Sequence, residues 1–63
     1  MNNYRLFKTA NQAFMFNVSG DYITRISKGR LGIFLGQSDY PVYDTCFIDG
    51  QIGVIWKGCM KFI

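Results

Sequence analysis

Two cysteines, Cys46 and Cys59, and four aspartates, Asp21, Asp39, Asp44 and Asp49, are the principal side chains in this 63-residue sequence from which nucleophilic, acid–base or metal chemistry could be assembled. Histidine is absent. No side chain therefore titrates near neutrality in its unperturbed state, and neither a Ser-His relay, a Cys-His pair nor a histidine-bearing zinc site can be built. The two thiols are too few for a thiolate zinc site and too sparse for the disulfide density of small secreted scaffolds. They read as reduced, partly packed thiols of a cytosolic protein, with one disulfide as the alternative. Cys46 has no cluster of cations close in sequence to activate it. Asp39, Asp44 and Asp49 invite a divalent-cation reading, but no loop of alternating oxygen ligands surrounds them, and Asp39 and Asp49 have the neighbours of turn residues. The glycine-rich run 29–36 lacks the spacing and the Lys-Ser/Thr ending of a phosphate loop. The composition points away from an enzyme and calls for neither a cofactor nor a metal.

The elements that would position these groups are strands. Val, Ile, Thr, Tyr, Phe and Trp supply 24 residues, whereas Ala and Leu together supply five and Glu is absent. That is a poor stock for helices and a rich one for sheet. Seven glycines punctuate the chain at intervals suited to turns and bulges. The expected fold is all-β, a small single domain of residues 1–63, built as an antiparallel meander or bent barrel of about five strands. The segments are 4–8, 13–18, 22–27, 31–35, 42–48 and 51–56, the last running on toward Ile63. Residues 27–36 are the ambiguous stretch: Ser27 offers an N-cap for one short helix, and Gly29 and Gly32 argue against it.

Asp49-Gly50 between two β-rich runs is the strongest local signal. A two-residue hairpin turn needs positive φ at both positions, which Asp tolerates and Gly permits. The register follows: Ile48 opposite Gln51, Phe47 opposite Ile52, Cys46 opposite Gly53, Thr45 opposite Val54, Asp44 opposite Ile55 and Tyr43 opposite Trp56. One face then carries Tyr43, Thr45, Phe47, Ile52, Val54 and Trp56 and is expected to face the core. The other mixes Val42, Asp44, Cys46, Ile48, Gln51, Gly53, Ile55 and Lys57, where a solvated face would be polar. Either the N-terminal strands or the 31–35 segment cover this second face, or it docks on another chain. In the docking reading Ile48 and Ile55 are the anchors, Cys46 and Val42 lie beside them, and Lys57, Asp44 and Gln51 form the rim. In the first hairpin Phe14, Phe16 and Val18 meet either Tyr22, Thr24 and Ile26 or instead Ile23 and Arg25, depending on a two- or three-residue loop at Ser19-Gly20-Asp21; the three-residue loop gives the better apolar match and leaves Met15, Ile23 and Arg25 on the opposite face.

The net charge is +3 and unevenly spread. Arg5, Lys8, Arg25, Lys28 and Arg30 crowd the first half against Asp21 alone. Arg25, Lys28, Arg30 and Lys57, with Tyr4 or Tyr22 stacking on bases, make a candidate nucleic-acid surface. The alternative is that these are solvated strand-edge charges that discourage edge pairing. No signal peptide or membrane span is visible, which suggests a cytoplasmic protein starting at its native Met1 and touching no membrane. Asn17-Val18-Ser19 matches a glycosylation acceptor by chance.

The stretch 16–26, with Gly20-Asp21-Tyr22-Ile23 and Ile26, resembles the "Gly-Asp-x-Ile-x-x-Ile" element of Src-homology-type small barrels. Gly29-Arg30-Leu31-Gly32-Ile33-Phe34 with Ser38-Asp39-Tyr40 is similar to the family's "Gly-x-x-Gly-x-Phe-Pro-x-x-Tyr" strand and corner. The resemblance touches about a third of the chain and implies a small, strongly bent β-barrel. Tyr40 is the one position matching a family binding residue. Leu35 stands where the family keeps a proline, so the peptide groove is not carried over.

Folding a chain of this size buries roughly 6,400 Å². The apolar part contributes about 95 kcal/mol, and ordering the chain costs about the same. A domain so balanced either packs very well or leans on something else, such as a second copy, a partner or a ligand. The function expected is that of a non-enzymatic, stoichiometric protein-binding module, homo-oligomeric in its simplest form; a phage- or mobile-element-type inhibitor of a host or defence complex is the setting by analogy. The alternative is a small basic nucleic-acid-binding barrel.

Overall fold

The computed structural model describes residues 4–63. The reading of Met1 as a native start lies outside the described residues. Seven strands form one antiparallel sheet: β1 (Arg5–Thr9), β2 (Ala13–Phe16), β3 (Tyr22–Ile26), β4 (Leu31–Gln37), β5 (Tyr43–Ile48), β6 (Gln51–Trp56) and β7 (Met60–Phe62), the last two joined by a 3-10 turn, Lys57–Cys59. Their order across the sheet is β3-β2-β6-β5-β4-β1-β7. The all-β, single-sheet architecture is the one expected. Six of the strands fall on the six segments drawn from the sequence, and the seventh arises because the tail after Trp56 breaks at the 3-10 turn and resumes as β7, which pairs with β1.

The sheet is curled on itself. Phe7 from β1, Met15 from β2, Ile26 from β3, Ile48 from β5, Ile55 from β6 and Met60 from β7 belong to one buried cluster. Strands from both ends of the order thus share one core, which a flat sheet cannot achieve. The Ala10 N–H donates to the Cys59 carbonyl at 2.8 Å, tying the loop after β1 to the turn before β7. The accessible surface, 4273 Å², matches the ~4,200 Å² expected of a folded chain of this mass.

Local chemistry explains the connections. Asp49 (φ 54°) and Gly50 (φ 77°) form the β5–β6 turn, and the β5–β6 register is the one read from the sequence at all six pairs. The 27–36 stretch holds no helix. The buried Thr9 hydroxyl donates to the Ser27 carbonyl at 2.7 Å and accepts from the Arg30 N–H at 2.9 Å, so residues 27–30 become a turn pinned to β1. Ser27 is therefore no helix cap, and Leu31 starts β4.

The β2–β3 hairpin closes with a longer loop than either of the two expected and sets Phe14 against Arg25. Phe16 pairs with Tyr22, Met15 with Thr24, Phe14 with Arg25 and Ala13 with Ile26, with a bulge after Met15. The cause is Asn17, whose Oδ1 accepts the N–H groups of both Ser19 and Asp21 at 2.9 Å and organises a five-residue loop, 17–21. Phe14 consequently shares a face with Arg25, and Met15 fills the core.

Candidate docking surface

The register of the C-terminal hairpin is as expected, but its two faces are exchanged. Cys46, Ile48 and Ile55 are fully buried and Asp44 nearly so, whereas Phe47, Ile52 and Trp56 are exposed. The docking set read from the sequence is corrected accordingly: Asp44, Cys46, Ile48 and Ile55 face inward, and only Val42, Gln51 and Lys57 remain at the surface. Glycine is the physical reason. A Cβ on Gly53 would stand 2.6 Å from the Phe16 carbonyl oxygen and 3.0 Å from the Met15 side chain, and one on Gly32 would stand 2.6 Å from the Phe7 ring. Small residues on this face admit large ones from β1 and β2, so the mixed face is an interlocking one. The apolar surplus does reach outward, on the opposite side.

That outer side carries a row of direct cross-strand neighbours. Leu6 on β1 lies opposite Ile33 on β4, Ile33 opposite Phe47 on β5, and Phe47 opposite Ile52 on β6. Leu6 is 54% exposed, Phe47 40% and Ile52 59%. Leu31, on the same side of β4, extends the patch and lies opposite Lys8. The row went unread in the sequence because it depends on the β1–β4 pairing, which joins segments far apart in the chain. The remaining outward residue of β6, Val54, is buried, because it lies under a hollow walled by Phe16, Tyr40 and Tyr43.

A second apolar region lies where the β2–β3 hairpin meets β5 and β6. Phe14, Phe16, Val42, Tyr43 and Trp56 line an open groove of about 500 Å³. The Phe16 ring packs edge-on against Tyr22 at 6.0 Å and Tyr43 at 6.1 Å, and Tyr22 also meets Phe14 at 6.3 Å. The Tyr40 hydroxyl donates to the Val18 carbonyl at 2.9 Å, latching the 38–42 loop to the hairpin tip. In the turn at 40–43, the Tyr43 N–H donates to the Tyr40 carbonyl at 3.2 Å, Pro41 takes the second position and Val42 the third, with φ at 59°. A β-branched residue in that conformation is strained, and glycine is the usual occupant. Trp56 lies against Gly58: a Cβ there would sit 2.4 Å from the indole ring.

The four cations read as a nucleic-acid surface fall into three groups. Arg25, exposed on β3, pairs directly with Phe14, and Lys28 is exposed in the turn that follows. Lys57 follows Trp56 and shares a hollow with Val42, Asp39 and Asp44. Arg30 is occupied, its guanidinium 2.6 Å from the Asp49 carboxylate. Tyr4 precedes β1, far along the sheet order from Tyr22 on β3, so the nucleic-acid set read from the sequence is brought together only in part.

Both cysteines are free and buried. Burial pushes the Cys46 thiol up to about 12, with the Asp44 carboxylate adding to the rise. Burial also raises Cys59, whose Sγ lies 3.7 Å from the Gln12 carbonyl. Both thiols are neutral at physiological pH and poor nucleophiles. Among the described residues there is no cluster of three potential metal ligands, and no helix is long and apolar enough to cross a membrane. No family model matches the chain, and neither does any curated protein or solved structure.

Proposed function

We propose that this chain is a non-enzymatic, stoichiometric protein-binding module that docks through the outer face of β1, β4, β5 and β6. The observation that carries the reading is the unbroken row Leu6, Ile33, Phe47 and Ile52 on four adjacent strands, with Leu6, Phe47 and Ile52 exposed and Ile33 partly buried between them. Burying the exposed half of Leu6, Phe47 and Ile52 contributes about 1 kcal/mol each, or roughly 3 kcal/mol for the row. That is less than association itself costs, so the partner extends beyond the row onto a rim. Lys8, exposed on the same side of β1 as Leu6, supplies part of one, and a standard interface of about 800 Å² per side takes it in. A second copy of the chain is the simplest partner, since a two-fold contact needs only one surface.

The likeness to Src-homology-type small barrels is part of the same proposal. It is supported by the run β7-β1-β4-β5-β6, an antiparallel ladder curled so that the last strand returns to the first. The test compares the wild type with Ile52→Asp and Phe47→Asp, both outward substitutions. A partner, whether another protein or a second copy seen by sedimentation, is expected to be lost in both variants while the fold is kept. Retention of the partner by both would remove the reading.

A further inference from the structure

We propose that the groove between the β2–β3 hairpin and Trp56 binds single-stranded nucleic acid, with bases lying on Trp56, Phe14 and Tyr22 and phosphates running past Arg25 and Lys28. The groove shares no residue with the Leu6 to Ile52 row, so the two sites stand or fall separately.

Three observations converge on it. Phe14 is 51% exposed, Tyr22 58% and Trp56 50%, so three aromatic side chains keep about half their surface free around one open groove or its rim. Such faces stack on any base, which gives binding without sequence preference. The aromatics are also held in place. Tyr22 leans on both Phe14 and Phe16, and the indole of Trp56 lies on Gly58, where any side chain would displace it. A platform that is already rigid loses little entropy on binding.

Charge selects the ligand. Arg25 is the direct cross-strand neighbour of Phe14, and Lys28 follows three residues on. Among the described residues the only ion pair is Arg30 with Asp49, which leaves Arg25 and Lys28 without an acidic partner. The acids sit at the groove's other edges: Asp39 and Asp44 line a hollow that adjoins it at Val42 and Tyr43 and also holds Lys57, and Asp21 belongs to the hairpin tip before Tyr22. Positive charge is therefore concentrated on the Arg25 and Lys28 side of the aromatics, where a phosphate backbone is attracted. An uncharged apolar peptide would gain nothing from that asymmetry.

Trp56 is the only tryptophan, so its fluorescence reports on the groove alone. Titration with a short oligothymidylate at low salt is expected to quench Trp56. The affinity should fall with added salt at a log–log slope of about −1.4, the value for two phosphates neutralised on a single strand. Arg25→Ser with Lys28→Ser is expected to flatten that slope and weaken binding several-fold. Phe14→Ala, at an exposed position, should weaken it by roughly fivefold or more. Ile63→Ser, exposed and outside both sites, should leave the titration unchanged. Circular dichroism on each variant establishes that the fold is intact. Trp56 emission that ignores the oligonucleotide at low salt overturns the proposal, as does a titration indifferent to salt and to the loss of Arg25 and Lys28. Emission that changes with the protein's own concentration but not with oligonucleotide would assign the groove to a second copy and overturn it equally.

Discussion

Two aspartate substitutions three residues apart on β6 should have opposite consequences. Ile55 is fully buried in the shared core, and Ile52 is 59% exposed on the outer face. Ile55→Asp removes a buried side chain worth roughly 1.5–3 kcal/mol of transfer free energy. It leaves a partial cavity and places a carboxyl among Met15, Ile48 and other apolar residues, bringing the total to about 4–5 kcal/mol or more. A domain of this length has about 3–9 kcal/mol of stability in all, at roughly 0.05–0.15 kcal/mol per residue. Ile55→Asp is therefore expected to lose half or more of that stability and to melt far below the wild type. Ile52→Asp loses little burial and meets mainly the low strand propensity of aspartate, about 1 kcal/mol. It should fold, with a melting temperature lower by roughly 4–8 °C. Thermal melts followed by far-ultraviolet circular dichroism measure both. A folded Ile55→Asp together with an unfolded Ile52→Asp would show that the inner and outer faces of the hairpin have been assigned the wrong way round.

Three further outcomes are expected. Val42→Gly relieves a positive φ that costs a branched side chain about 1–2 kcal/mol and gives back part of that in unfolded-state entropy, so the urea midpoint should rise by an amount worth about 0.5–1 kcal/mol; a fall would mean the turn is not strained. Thr9→Val leaves the Ser27 carbonyl and the Arg30 N–H without their hydroxyl partner and should cost about 2 kcal/mol in the same denaturation assay. Cys46 should resist a disulfide-exchange reagent until the protein unfolds. Because its folded pKa is raised, the unfolded chain releases the thiol proton first. Stability should then be unaffected below the ordinary value of 9.0 and decline as the pH climbs from there toward about 12, a decline that Cys46→Ala should lessen.

The parts of this fold that were legible in the sequence are those fixed by neighbours in the chain. Asp49-Gly50 sets its own turn, and the turn sets six residue pairs without help from elsewhere. The side of that hairpin that faces the core is decided by strands some forty residues away. Phe7 and Met15 need somewhere to go, and Gly32 and Gly53 make room for them. Read alone, Gly53 weakens an apolar face; read against Met15, it marks where two strands interlock. Asn17 is a similar case, since its side chain can close a loop locally, and two hydrogen bonds accepted by Oδ1 were enough to set the register of the first hairpin. The row from Leu6 to Ile52 was hidden for a different reason: it exists only once β1 has found β4.

The pairing of β1 with both β4 and β7 also dictates an order of events. Thr9 lies opposite Met60, and bringing segments about fifty residues apart together costs on the order of 3.5 kcal/mol in loop-closure entropy when nothing else has formed. The local ribbon around Asp49-Gly50 avoids that cost and is available to nucleate. The three-residue C-terminal strand is thus the last piece to join and the first to open, so the seam it forms with β1 is where amide hydrogens exchange soonest and where a protease first finds slack chain.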